Sequence, residues 1–207
     1  RQKKALPPNE LHTLLYKTPP SEHLSRTQAI ARLMFQFCGM PFSDLAHIEK
    51  SALEQGVLRY NRVKTGTPMS LEILDMSKKE MNRLRNNNEP REDYPDYLFN
   101  IMKGDKPRKD EGVYKEYQSA LRRFNNQLKS LSKELHLKSP VTSYTIRHSW
   151  ATNAKYQGIS IEMISESLGH KSIKTTQTYL KGFGLKERTE ANRINCSYIE
   201  SYRKSNH

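Results

Sequence analysis

Three side chains near the end of the sequence have the right types for chemistry on a phosphate group: Arg147, His170 and Tyr179. A guanidinium fork matches two non-bridging oxygens of a phosphate, and an imidazole can hydrogen-bond a third. A phenolic oxygen can attack phosphorus and hold it as an ester. Each residue alone has a plainer interpretation, as a salt-bridged arginine, a helix-cap histidine or a half-buried tyrosine. Together, near helix ends of a basic chain, they favour phosphoryl transfer on nucleic acid.

The helix that carries Arg147 is predicted from "YTIRHSWATNAKYQ", residues 144–157. Thr142 or Ser143 can cap its start, because a side-chain oxygen there can accept a hydrogen bond from a free backbone amide. Tyr144 lies three residues before Arg147, so the two side chains are expected one turn apart on the same face of the helix.

Two shorter helices are predicted to follow and to position the other two side chains. The first runs from Ser160 to Leu168 and leads to Gly169 and His170 at a helix junction. The second runs from Ser172 to about Lys181 and carries Tyr179 near its end. Its few apolar residues do not decide between a core tyrosine and a functional one.

The composition indicates a folded domain with an anionic partner. The 207 residues are long enough for one sizeable domain or two small ones. The formal net charge of +13 and the isoelectric point near 9.7 favour a polyanion, since phosphate contacts release condensed counterions. A merely basic surface is the alternative.

The sequence also indicates the compartment and predicts no metal site. No segment approaches the roughly 20 apolar residues that a membrane span needs. The start "RQKKALPPNE" has no initiating Met and no signal-peptide core, so we expect a cytoplasmic fragment of a longer chain. Cys38 and Cys196 lack a CxxC pattern and are expected to be reduced and buried, and the histidines show no metal-ligand spacing with them.

The fold is predicted to be α+β and mainly helical, with helices around a small antiparallel β-sheet. Residues 57–64 alternate in polarity, and residues 69–74 do so after the turn "TGTP", which predicts a β-hairpin. On the first strand, Arg62 and Lys64 are two residues apart and are expected on the same face, while Arg59 lies on the other.

Helical spacing recurs on both sides of the hairpin. Apolar residues at this spacing predict one helix before it, one after it and one at the C-terminus; these stripes are Ile30 to Cys38, Tyr117 to Leu135, and Ala191, Ile194, Tyr198 and Ile199. Residues 76–85 are predicted to be helical too. Residues 86–112, rich in Asn, Pro, Asp and Lys, are predicted to be mostly surface loop around the apolar island "YLFNIM".

These motifs resemble the catalytic domain of tyrosine recombinases, the phage-integrase family. "TSYTIRHSWAT" and "SLGHKSIKTTQTYL" are similar to the family's H-x-x-R, its L-G-H and a tyrosine about nine residues on. "FCGMPFSDLAHI" resembles the first conserved block and "YNRVKTG" the hairpin lysine block, so the resemblance covers nearly all of residues 1–207. From this resemblance we expect residues 1–207 to be a catalytic domain without the family's smaller N-terminal core-binding domain. "RHSWAT" and "KTG" resemble the wording in integrases of conjugative and mobilisable elements.

The resemblance implies a role for each matching residue. Tyr179 falls on the nucleophile, Arg147 on the second arginine and His170 on the His/Trp position. Lys64 falls on the hairpin lysine, whose implied role is general acid to the departing 5′ oxygen.

The sequence departs from the family's pattern at two positions. Tyr144 stands where the family has the His of H-x-x-R; it can donate a hydrogen bond but is a poor base, with a reference pKa of about 10. Pro41 stands at the first arginine and offers no charge. Arg62, beside Lys64, is the candidate replacement. The alternative is that Arg62 is a DNA-backbone contact or a solvated strand residue.

The resemblance implies a site-specific recombinase that cleaves and rejoins double-stranded DNA without a cofactor, for integration or excision of a mobile element. It also implies a tetramer on two duplexes, a C-terminal helix that docks onto a neighbour, accessory DNA-bending proteins, and a place in the bacterial cytoplasm at the nucleoid. Two alternatives stay open: a type IB topoisomerase-like enzyme with the same chemistry, and a DNA-binding protein with a degenerate site.

Overall fold

The computed structural model describes residues 5–180 and 182–201. Within these ranges, helices surround one small sheet, as the α+β prediction expected. The α-helices are α1 Pro8–Tyr16, α2 Ser25–Gln36, α3 Phe42–His47, α4 Asp75–Leu84, α5 Gly112–Glu134, α6 Ser143–Tyr156, α7 Ile161–Leu168, α8 Ile173–Tyr179 and α9 Leu185–Ser201. Short 3-10 helices span Glu22–Leu24 and Lys50–Ala52, and the strands are β1 Leu53–Glu54, β2 Val57–Asn61 and β3 Pro68–Glu72.

The sheet has the antiparallel order β1-β2-β3. The predicted hairpin is β2-β3, with Asn61 paired to Pro68. The sequence prediction missed β1, which is only two residues long and pairs with β2 through Leu53 and Leu58. A two-residue turn, Gln55-Gly56, joins these strands with positive φ at both residues, the conformation that suits the twist of a tight hairpin.

The hairpin loop is longer than the alternating pattern predicted, since β2 ends at Asn61. Arg62 follows the strand, and its backbone still pairs across the loop by donating to the carbonyl of Thr67 at 2.9 Å. Lys64 lies in the turn and is exposed. The prediction that strand periodicity aims Arg62 and Lys64 together is therefore wrong for Lys64.

The main core forms where α2 crosses the helices around it. Leu33 and Met34 of α2 are fully buried, and Phe42 of α3 stacks on Phe124 of α5 with ring centroids 4.6 Å apart. The apolar island after α4 belongs to this core: the segment 97–102 is irregular, as predicted, but all of it except Asn100 is buried.

A second, smaller apolar cluster joins α6, α7 and α8. Its buried members are Ala151, Ala154, Ile164, Leu168 and Leu180, with Trp150 and Tyr179 packed against them. This cluster holds together the helices that carry Arg147 and Tyr179 and the end of α7, which His170 follows by two residues.

Neither cysteine is fully buried, and α9 is exposed along its length. Cys38 is half-buried and Cys196 is exposed, so the prediction of two buried thiols is wrong; both are free. Every described residue of α9 is exposed, including its apolar stripe.

The predicted end of the α8 helix at Lys181 lies outside the described residues. Over residues 5–180 and 182–201, none of the helices combines the length and apolar character of a membrane-crossing segment.

Candidate active site

Arg147 is held in place by the capped start of α6. Thr142 caps this helix: its side chain accepts from the backbone amide of Thr145, and the Thr145 side chain accepts from the backbone amide of Thr142. Of the two caps that the sequence offered, Thr142 is therefore the one used. The guanidinium of Arg147 is buried, donating from Nη1 to the carbonyl of Gly39 at 2.9 Å and from Nη2 to that of Leu168 at 2.7 Å. Leu168 is the last residue of α7, so Arg147 satisfies a carbonyl that the helix leaves free.

Arg62 reaches the same carbonyl from the hairpin side. Its Nη1 donates to the Leu168 oxygen at 3.0 Å and to the Gly169 oxygen at 3.3 Å. Its Nε forms a buried ion pair with Oδ2 of Asp44 at 3.2 Å, and the other Asp44 oxygen accepts the backbone amide of Val63 at 3.0 Å. Arg62 is therefore a buried residue beside Arg147, and the alternative of a solvated strand residue is wrong.

Pro41 lies in the segment between these two guanidiniums. Gly39, two residues before it, accepts from Arg147, and Asp44, three residues after it, pairs with Arg62. Pro41 itself precedes the first turn of α3. The hairpin arginine thus lies next to the chain segment where the resemblance expects an arginine.

Gly169 makes this arrangement sterically possible. It ends α7 with φ +63°, in the left-handed region that glycine adopts without strain. A Cβ at this position would lie 2.6 Å from Cδ of Arg62 and 2.6 Å from Sδ of Met69. The glycine before His170 therefore allows the hairpin to approach the α7 terminus.

His170 contacts both an arginine and α8, the helix that carries Tyr179. Its Nε2 lies 3.4 Å from Nη2 of Arg147, and its Nδ1 lies 2.8 Å from the hydroxyl of Thr176. Burial, and then the charges of Arg147 and Arg62, lower the pKa of His170 to about 4. The ring is therefore neutral near pH 7.

Tyr179 lies at the end of α8 among three other rings. His148 meets it edge-on with centroids 4.6 Å apart, Tyr144 with centroids 5.6 Å apart and His170 with centroids 6.0 Å apart. Burial raises the pKa of Tyr179, and the phenol of Tyr144 raises it further. The Tyr179 hydroxyl is itself buried, and Tyr144 is the side chain with the largest effect on it.

The electrostatics of the cluster favour an anion. Arg62 and Arg147 lie together with one carboxylate, Asp44, on them. Burial, and then the charge of Arg62, lower the pKa of Arg147 to about 10, which still leaves it positively charged near pH 7. The net positive charge inside a low-dielectric site attracts a phosphate more strongly than exposed cations do.

The structure therefore brings together Arg62, Arg147, His170, Tyr144 and Tyr179, but it does not bring Lys64 to them. Lys64 is exposed in the hairpin loop and makes no hydrogen bond or ion pair with residues 5–180 or 182–201. Tyr144 is 38% exposed at the start of α6, and its ring meets that of Tyr179.

Sequence reasoning missed three residues of the cluster: His148, Thr176 and Asp44. His148 directly follows Arg147, and the chain position alone could have marked it. Asp44 and Thr176 are recognisable only from their contacts, which bring Asp44 to a side chain 18 residues away and Thr176 to His170. Across the described ranges, no group of three or more His, Cys, Asp or Glu residues is arranged to hold a metal ion.

Known proteins match the chain over most of its length. XerA tyrosine recombinase of Thermococcus kodakarensis is 28% identical over 180 residues, which are 86% of this chain and 58% of XerA. The chain thus spans less than two thirds of that relative.

Solved structures share the fold. The Tn1549 transposon integrase, in complex with a circular intermediate DNA, superposes with a TM-score of 0.67 at 16% identity, over 93% of this chain and 66% of that one. The catalytic domain of bacteriophage HP1 integrase does so with a TM-score of 0.51 at 19% identity, over 99% of this chain and 96% of that one.

The sequence profile of the phage integrase family matches residues 4–183, a span that includes the hairpin, the paired arginines, His170 and Tyr179. By this match, the chain belongs to the phage integrase family.

Proposed function

We propose that the chain is the catalytic domain of a site-specific DNA recombinase, an integrase that cleaves and rejoins DNA strands to insert or excise a mobile element. The observation that carries this proposal is a contiguous set of contacts: Arg62 and Arg147 share the Leu168 carbonyl, His170 lies beside Arg147, and Tyr179 lies beside His170. Two similar proteins support the reaction class. One is the tyrosine recombinase XerA, and the other is the Tn1549 integrase, whose structure was solved with a circular intermediate DNA.

The cleavage step needs only the side chains of the site and the DNA. The Tyr179 oxygen attacks the scissile phosphorus and loses its proton, the bond from phosphorus to the 5′ oxygen breaks, and the 5′ oxygen takes up a proton. The products are a 3′-phosphotyrosyl ester and a 5′-hydroxyl. Because the ester retains the energy of the broken bond, the reverse attack by a 5′-hydroxyl rejoins the strand without a cofactor.

The two guanidiniums offset the charge that builds up on the phosphorus oxygens. Arg147 serves as the family's second arginine, and Arg62 supplies the fork that Pro41 cannot. Donors held in place before the reaction cost no reorganisation when charge develops, which is the largest contribution in many enzymes. Both forks are already fixed here, by Gly39, Leu168, Gly169 and Asp44.

Three further groups complete the proposed reaction, and two of them transfer protons. The hydroxyl of Tyr144 donates a hydrogen bond near the phosphate but does not act as a base. The ring of His148, in edge contact with Tyr179, is the candidate acceptor for the phenolic proton. Lys64, on its exposed loop, protonates the 5′ oxygen once bound DNA draws the loop over the site.

Assembly requires other molecules. We propose that the enzyme binds double-stranded DNA as a homotetramer with accessory DNA-bending proteins, at the nucleoid in the bacterial cytoplasm. The exposed apolar stripe of α9 supports docking onto a neighbouring copy, since no described part of its own domain covers it. A type IB topoisomerase-like enzyme would use the same cleavage chemistry, but it would relax supercoiled DNA as a monomer.

The test uses a nicked duplex that spans the joined ends of the element and loses the fragment needed for rejoining. The wild-type chain is expected to form a protein–DNA adduct that resists denaturation. Tyr179→Phe is expected to bind the duplex and form none, because the ring remains while the attacking oxygen is gone. Tyr156→Phe, at an exposed tyrosine, is the matched control and is expected to form the adduct. An adduct with Tyr179→Phe would exclude Tyr179 as the nucleophile, and binding without any wild-type adduct would favour the degenerate DNA-binding protein.

A further inference from the structure

One residue anchors the middle of the nucleophile helix. From Ile173 to Thr178 every residue of α8 is exposed except Thr176, which is completely buried. Thr176 precedes Tyr179 by three residues, so the two side chains lie one turn apart on the same face of α8. The position of Thr176 therefore affects the position of Tyr179.

The buried hydroxyl of Thr176 contacts His170 in a way that defines the protonation of the ring. Nε2 of His170 lies 3.4 Å from Nη2 of Arg147, and a guanidinium nitrogen can only donate. Nε2 must then be the acceptor, so the proton of the neutral ring is on Nδ1. Nδ1 donates this proton to Oγ1 of Thr176 at 2.8 Å.

We propose that Thr176 is a positioning residue for His170, which rests on the proposed recombinase function. The hydroxyl accepts the Nδ1–H bond, keeps Nε2 directed at Arg147 and the phosphate position, and joins His170 to the helix of Tyr179. The histidine that contacts the phosphate and the tyrosine that attacks it are thereby held as one unit.

The hydrogen bond also determines where an added proton can go. With Nδ1–H directed at Thr176, Nε2 is the basic nitrogen of the ring. A bound phosphate offsets the positive charges of Arg147 and Arg62, and a proton taken up by His170 then lies on Nε2, where it can be donated to a phosphate oxygen. Without the Thr176 hydroxyl, the neutral ring can carry its proton on either nitrogen.

The variants are Thr176→Val, which replaces the hydroxyl with a methyl group of similar size, and Thr176→Ser, which keeps a hydroxyl. Thr175→Val is the matched control, because it makes the same change at the exposed neighbour. The first measurement is ¹⁵N NMR of the imidazoles in the DNA-free chain, with His170→Gln identifying the His170 signals. The second is the rate of single-turnover cleavage of the nicked duplex.

The wild-type chain and Thr176→Ser are expected to show the Nδ1–H tautomer of His170, and Thr176→Val a mixture of the two. Cleavage by Thr176→Val is expected to be about 10–100-fold slower. This is the range of activity loss when a metal-binding histidine loses the hydrogen-bond partner that orients its ring. Thr176→Ser and Thr175→Val are expected to cleave at close to the wild-type rate.

Three results would overturn the proposal. One is an Nε2–H tautomer in the wild-type chain, which needs no folded variant and no activity to be observed. Another is a Thr176→Val chain that is less stable but has the wild-type tautomer and cleavage rate, which would make Thr176 a packing residue only. The third is a Thr176→Ser chain as slow as Thr176→Val. A wild-type chain with the expected tautomer but no adduct would instead overturn the recombinase function, so the two failures are distinguishable.

Discussion

The candidate active site and the C-terminal helix α9 differ in how far the chain satisfies their side chains. In the site, the guanidiniums of Arg62 and Arg147 are buried and bonded to backbone carbonyls and to Asp44. On α9, every described side chain is exposed, and the stripe containing Ile194 is left uncovered. The difference indicates that a single chain already holds these two arginines in place, whereas we propose that a second copy covers the stripe of α9. Cleavage and assembly should therefore respond to different substitutions.

The largest loss of cleavage is expected from Gly169→Ala. Its Cβ would lie 2.6 Å from Cδ of Arg62 and 2.6 Å from Sδ of Met69, so the Arg62 side chain or the hairpin that carries it must shift, which displaces a guanidinium. Cleavage is expected to slow about 10²–10³-fold, as for the loss of one preorganised donor. The measurement is single-turnover cleavage of the nicked duplex.

Gly158→Ala is the matched control for this substitution. Gly158 also has a positive φ, of +82°, but a Cβ there meets nothing within 4 Å. The left-handed backbone costs each variant about 1–2 kcal/mol of stability, to which Gly169→Ala adds the steric clash, and only Gly169→Ala is expected to lose cleavage. Equal rates in the two variants would show that the close approach of Arg62 is unnecessary.

A smaller effect, in the other region, is expected from Ile194→Glu on α9. Ile194 is 58% exposed, so the free energy of unfolding should change by no more than about 0.5 kcal/mol. A charge placed in an interface between copies should lower recombination at least about tenfold, which corresponds to about 1.4 kcal/mol of association. First-strand cleavage should stay at the wild-type rate. Thr189→Glu adds the same charge on the opposite side of α9 and should leave both reactions unchanged; loss of cleavage with Ile194→Glu would show that α9 acts on its own site.

The smallest effect concerns the pH dependence of stability. His170 has its pKa lowered to about 4 from an ordinary value of 6.5, so between these values the unfolded chain binds more protons than the folded one. The free energy of unfolding should therefore fall as the pH falls from about 6.5 to 4. Urea unfolding across this range should show a weaker dependence for His170→Asn than for wild type, whereas His23→Asn, at an exposed position, should retain the wild-type dependence. An unchanged slope in His170→Asn would contradict the half-buried, neutral imidazole.

Local sequence signals predicted the helices that carry the site. Caps at Thr142, Ser160 and Ser172 and the glycine after α7 mark three consecutive helices, because capping depends on residues only two or three positions apart. Strand ends were less predictable. Polarity alternates up to Lys64, but the hydrogen-bonded ladder ends at Asn61, and pairing depends on the partner strand as well as on the pattern.

The contacts that complete the site could not be predicted from local spacing. Arg62 was predicted as a candidate from its place beside Lys64, yet the structure holds it by the Leu168 carbonyl, 106 residues away, and by Asp44. Thr176 looks like one of several threonines in a polar segment, and only its complete burial distinguishes it. Tertiary contacts of this kind depend on how the hairpin and the helices meet.

We propose that Arg62 supplies the second guanidinium of the active site. Removing Arg62 alone would leave Asp44 buried and unpaired, at a cost of about 3–5 kcal/mol, so the test is the double variant Arg62→Gln/Asp44→Asn compared with Asp44→Asn. Arg59→Gln, at an exposed strand arginine, is the control. In single-turnover cleavage of the nicked duplex, the double variant is expected to be about 10²–10³-fold slower than Asp44→Asn while binding DNA nearly as well, and Arg59→Gln is expected to match wild type. A folded double variant that cleaves as fast as Asp44→Asn would contradict this role of Arg62.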